Sequence, residues 1–111
     1  MTVHIPDYSS WTRDDLLDET YKQASIQRHL AGQEGKDVNE RRMKIATAGA
    51  RHHAAYLALL ELTEPFDPAA AVRVERAKAW NRSERDRYYA VALGTEFIQR
   101  HDAEAMGQVR A

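Results

Sequence analysis

Residues Asp37–Pro65, DVNERRMKIATAGARHHAAYLALLELTEP, decide the fold. Asp37 with Glu40 approximates a capping pair, and Glu64 is biased out of the helical region by the proline that follows it. Between these signals the stretch reads as one helix ending near Thr63. At 100° per residue its apolar and small residues cover an arc of roughly 200°, about twice the stripe of an ordinary surface helix. The arc takes in Ile45, Ala46, Gly49, Ala50, Tyr56, Leu57, Leu59 and Leu60, and both His52 and His53 fall inside it. Such a helix needs neighbours on two or three sides. The expected fold is therefore all-α, an antiparallel bundle of three to four helices with a long central second helix.

The segments on either side follow from the same signals. Residues 1–11 contain Pro6 and no helical period, so they read as an extended N-terminal strap, with Val3, Ile5 and Tyr8 facing the bundle. Residues 12–107 read as a single helical-bundle domain. Thr12 is a natural N-cap with Asp15 three residues on, and Trp11 is placed to staple onto Leu16. The first helix is expected to run to about Ala31, where Gly32 would supply a left-handed cap. Its core side would be Leu16, Leu17, Tyr21, Ala24 and Leu30, diluted by Thr20, Gln23 and Gln27. Asp14, Asp15, Asp18 and Glu19 read as helix-start charges facing solvent. After the second helix, Asp67-Pro68 gives another start, with the cap at Asp67 and proline in the first turn. No strong breaker follows until Gly107. The polar stretch Asn81–Arg87 is read as a break capped by Ser83 and Asp86, which gives four helices. The alternative is one uninterrupted helix of about 36 residues, roughly 54 Å at ~1.5 Å per residue, which would outreach its neighbours and invite pairing.

Composition narrows the function classes. The chain has 111 residues and no cysteine, so disulfides, thiol chemistry and cysteine-based zinc sites are excluded. Lys+Arg number 16 against 17 Asp+Glu, a balance that gives no long-range pull toward nucleic acid or an anionic membrane. No apolar run approaches the ~20 residues of a membrane span, and the first residues lack the pattern of a secretory signal. A cytoplasmic protein is expected. The excess of arginine over lysine and the abundant alanine fit a GC-rich bacterial or phage genome.

Three constellations have chemical potential. The adjacent histidines His52 and His53 suggest a metal, but i,i+1 side chains diverge by ~100°, and helical ligand pairs need i,i+3 or i,i+4 spacing. Tyr56 and Leu57 occupy those i+4 positions, and no Glu-x-x-His pair is present. His101 and Glu104 have the spacing, but in a polar tail. No metal and no cofactor is expected. The two imidazoles read as buried polar groups aimed at different neighbours, one toward the bundle and one toward a partner subunit, with pH sensing as a further possibility. The final helical segment presents two apolar faces about 140° apart. Tyr88, Val91, Ile98 and Met106 would close the monomer. Tyr89, Leu93 and Phe97, at i, i+4 and i+8, are left for the first helix or for a partner, and an uncovered patch of this kind marks an interaction surface. Arg41, Arg42, Lys44 and Arg51 form the nearest approach to a nucleic-acid face. Interspersed acids and the lack of a recognition-helix geometry weigh against it.

No nucleophile–base pair or phosphate loop is present, so the chain is expected not to be an enzyme. The expected function is that of a non-catalytic protein–protein interaction or assembly factor, a small bacterial or phage accessory protein. Its partners would be itself, as a homo-oligomer, and a larger host or assembly protein. The alternatives are a nucleic-acid-associated regulator and a metal or small-molecule-binding bundle.

Overall fold

The structure, a computed structural model, describes the backbone of residues 3–33 and 38–110 and their side chains except those of 99 and 102–110. Among these residues it is all-helical. A single 3-10 turn, Tyr8–Ser10, precedes α1 (Arg13–Ala31), α2 (Val38–Glu61) and α3 (Pro68–Arg110). None of the described helices is long and apolar enough to cross a membrane.

The helix starts follow their capping chemistry. Thr12 Oγ1 accepts from the Asp15 amide at 3.2 Å, and Trp11 packs into a cluster with Tyr8, Leu16 and Ala55. Asp67 Oδ1 accepts from the Ala70 amide at 2.6 Å, with Pro68 as the first helical residue. The proposed cap at Asp37 lies outside the described residues. Gly32 departs from expectation: its φ of −82° is right-handed. There the Gly32 amide reaches Arg28 O, the Gln33 amide reaches Leu30 O, and the Arg41 guanidinium donates to the Gln33 carbonyl. Those bonds satisfy the helix end, so no left-handed residue is required.

The expected break at Asn81–Arg87 is absent, and α3 is one helix of 43 residues. Asn81 holds the stretch helical from within. Its side chain is 5% exposed, and its Nδ2 donates to Ala77 O at 2.8 Å. Outside, Glu84 pairs with Arg87 at 2.6 Å, and Ser83 stays exposed rather than capping anything. Gly94 and Gly107 are likewise passed without interruption. At ~1.5 Å per residue α3 is about 64 Å long, which matches the 65 Å long axis of the molecule.

α2 packs against both α1 and α3, and α1 and α3 make no comparable contact with each other. Every residue from Ala46 to Ala50 is buried, as the broad apolar arc requires. The pairing runs antiparallel on both sides. Along α2, His52 and Gly49 meet Thr20 and Gln27 of α1, while His53 and Gly49 meet Asn81 and Tyr88 of α3. The face that α3 turns to α2 is Ala70, Asn81, Ala92 and Thr95, with Tyr88 packed alongside. The expected face of Tyr88, Val91, Ile98 and Met106 does not close the monomer: Val91 and Ile98 are 41% and 48% exposed. Met106 lies outside the described side chains.

α1 is also rotated from expectation. Tyr21 is 72% exposed, and the buried residues are Leu16, Glu19, Thr20 and Gln23. A polar stripe is turned inward, where its groups find partners except Gln23 Oε1, which is buried without one. Glu19 accepts from Tyr8 Oη at 2.8 Å and from Gln23 Nε2 at 3.1 Å, and Thr20 Oγ1 donates to Leu16 O. Burial and the adjacent Glu19 carboxylate push the Tyr8 hydroxyl above its ordinary range. The N-terminal segment is tied across the helices. Val3 joins Met43, Ala46 and Ala92 in one cluster, the Val3 amide donates to Glu96, and Arg51 Nε donates to His4 O.

Gly49 sits at the meeting point of the three helices. A Cβ built there would lie 2.7 Å from Gln27 Nε2 of α1 and 2.8 Å from the Tyr88 ring of α3. The ring has little room to yield, since it stacks on His53 at 5.6 Å and has the Arg87 guanidinium 4.5 Å from its centroid. Alanine normally favours a helix over glycine by about 1 kcal/mol. Here overpacking of about 1–3 kcal/mol outweighs that gain. Gly49→Ala is therefore expected to lower stability, read as an earlier urea midpoint at unchanged helicity. A later midpoint would show that the helices are not in close approach at this position.

Candidate functional site

Two features stand out among the described residues: a histidine seam inside the molecule and an uncovered face on α3. The seam is built from neighbouring α2 residues whose directions diverge. His52 Nδ1 lies 2.9 Å from Thr20 O of α1, and His53 Nδ1 lies 2.8 Å from Asn81 Oδ1 of α3. A carbonyl can only accept, so His52 carries its proton on Nδ1. Asn81 spends its amide NH2 on Ala77 O and presents oxygen to His53, so His53 is also the Nδ1–H tautomer. Each histidine thus ties α2 to a different neighbour. Both neighbours lie within the same chain.

His53 is the more enclosed, at 8% exposure. Its ring stacks on Tyr88 at 14° interplanar angle, and Trp80 and His52 meet it edge-on at 5.3 and 4.9 Å. Burial holds its pKa below the ordinary 6.5, against a smaller opposing contribution from the Asn81 bond. The imidazole is neutral at pH 7 and oriented, and the hydrogen bonds of the two rings go to Thr20 O and Asn81 Oδ1. Among the described residues no group of three or more His, Asp or Glu is placed to hold a metal ion.

The four basic residues considered for nucleic acid are not brought to one face. Arg41 and Arg42 border a groove with Val38, Ile45, Tyr88 and Val91. Lys44 and Arg51 border a different groove with Gln23, Leu30 and Met43. Three of them are already engaged: Arg41 with the Gln33 carbonyl, Lys44 with Glu40 at 3.0 Å, and Arg51 with His4 O.

The α3 face is different in kind. Tyr89, Leu93 and Phe97 are 37%, 41% and 68% exposed, and α1 packs elsewhere on α2 and covers none of them. Phe97 stacks with the His101 ring at 6.2 Å. Gly94 on the same helix has open space around its Cα. The pairing of His53 with Asn81 and of Met43 with Ala92 sets the start of α2 opposite about residue 97. The last part of α3 therefore runs on past α2 for about 20 Å at ~1.5 Å per residue. Comparison with protein-family models, curated proteins and solved structures finds no match to this chain.

Sequence reasoning missed Asn81, Glu19 and Gln23 as buried partners. For Asn81 the signal was present: Ala70, Asn81 and Ala92 recur every eleven residues, close to three full turns, so they share one face.

The depressed pKa of His53 fixes the sign of a pH effect. As pH falls, the unfolded chain takes up this proton first, so stability is fully present above about 6.5 and is lost progressively below it. The groups around His53 are His52, Glu84 and Arg87. Urea midpoints at pH 7.5, 6.5 and 5.5 are expected to decline for the wild type and to change less for His53→Gln. Equal slopes would show that His53 is not the titrating group.

Proposed function

We propose that this chain is a non-catalytic assembly module of the bacterial or phage cytoplasm that works by docking, with a second copy of itself as first partner. The observation that carries this reading is the Tyr89, Leu93 and Phe97 stripe on a helix that outreaches its neighbours. A patch with two aromatic rings and a leucine is costly to leave in water and unusual on a monomer. The interior supports the same view. Six of the eleven buried hydrophobic residues are alanines, and Leu16 is the only large side chain fully buried among the described residues. The protomer therefore buries little apolar area for its length. Its radius of gyration is 17.2 Å, against about 13 Å for a compact domain of this size. A larger protein would then be recruited by the assembled module.

Light scattering provides the test. Wild type is expected to run as a dimer or larger, and Phe97→Glu as a monomer with unchanged helicity, because Phe97 is 68% exposed in the protomer. Two monomers of equal stability would overturn the proposal.

A further inference from the structure

Resting on that reading, we infer that two copies meet through α3 in antiparallel orientation about a two-fold axis at Leu93. The argument is one of position and charge. At 100° per residue, Asp86, Tyr89, Ala90, Leu93, Phe97 and Arg100 fall within an arc of about 100°. That arc is centred about 140° from the face bearing Ala70, Asn81, Ala92 and Thr95, which α3 turns to α2. Five of the six are disposed symmetrically in sequence about Leu93, while Ala90 would lie opposite Glu96. An antiparallel mate centred there sets Asp86 against Arg100, Tyr89 against Phe97, and Leu93 against its own copy. Two acid–base pairs then bracket two aromatic pairs and a leucine pair. Such self-complementarity is what a two-fold interface demands.

The parallel alternative fails on the same residues. In parallel register Asp86 faces Asp86 and Arg100 faces Arg100, and like charges opposed across an interface are repulsive. Both side chains are accessible, at 64% and 68% exposure, and their present partners lie on α3 itself, Arg85 at 32% exposure and the more enclosed Glu96 at 12%. The more exposed Asp86–Arg85 pair contributes little. The area is also sufficient. The protomer exposes 7692 Å², whereas a compact monomer of its mass exposes about 6,200 Å². The difference of about 1,500 Å² per protomer exceeds the ~800 Å² that a standard interface takes from each partner. The mate also covers the overhang, since residues beyond Ile98 of one copy run alongside the stretch before Tyr88 of the other.

The chain has no native cysteine, so site-directed thiol crosslinking reads the geometry without background. Leu93→Cys is expected to form a covalent dimer with a short bismaleimide. Asp86→Cys alone and Arg100→Cys alone are expected not to, because like positions lie roughly 21 Å apart along the axis, 14 residues at 1.5 Å each. An equimolar mixture of those two variants is expected to crosslink. In parallel, Asp86→Arg should shift the protein toward monomer, and adding Arg100→Asp to the same chain should restore the dimer. Self-linking of Asp86→Cys and of Arg100→Cys would establish a parallel pair and overturn the inference while leaving the assembly proposal standing. A wild-type dimer in which Leu93→Cys does not link would place the interface elsewhere, with the same consequence. A wild type that scatters as a monomer would remove both.

Discussion

The missing side chain at Gly49 sets the distance at which three helices meet. Gln27 approaches it from α1 and the Tyr88 ring from α3, each occupying space that a methyl group would need. Around it the buried wall of α2 is Ala46, Thr47, Ala48 and Ala50, so the backbone itself is the packing surface. Dispersion contacts are individually small and depend steeply on separation. A helix this poor in side chains can gain from them only at close range. Everything else in the fold follows from holding α1 and α3 at that range on two sides of α2.

Close packing of small side chains specifies position weakly, because one alanine resembles the next. The histidine seam supplies what alanine does not. His52 binds the Thr20 carbonyl on α1, and His53 binds Asn81 on α3. A slip of either flanking helix by one turn, about 5.4 Å, would strand a buried polar group. The Tyr8, Glu19 and Gln23 network does the same for the N-terminal segment, fixing where it crosses α1. Polar groups in this interior act as locators, and the nonpolar contacts gain from the placement they enforce.

Much of this was legible in the residues. The wide arc of the Asp37–Pro65 stretch correctly required neighbours on more than one side, and the starts at Thr12 and Asp67 were written in capping chemistry. The divergence of His52 and His53 was readable from helix geometry alone. What was hidden was partnership. Glu19 and Asn81 look like solvent residues until Tyr8 and His53 arrive from elsewhere in the chain. The same blindness rotated α1, placing Tyr21 inside and Glu19 outside. Asn81–Arg87 looked like a break because polar runs usually mark loops, whereas here Asn81 faces inward and Glu84, Arg85, Asp86 and Arg87 form two ion pairs along a continuous helix. The left-handed cap expected at Gly32 failed for a related reason: Arg41 reaches back to satisfy that end. Propensity reports what a segment does alone, and each of these outcomes was decided by a second segment.

The alanine-lined wall of α2 has a consequence for how this chain tolerates change. A core of leucines and phenylalanines is altered in either direction, by trimming or by swelling. At Ala46, Ala48, Gly49 and Ala50 the side chains are already as small as side chains become, so nearly every alteration is an enlargement. Enlargement forces helices apart, and a millimetre-scale analogy is a hinge packed with a shim: the displacement grows toward the far end. A bulky residue at the middle of α2 would be felt most along the reach of α3, far from where it was introduced.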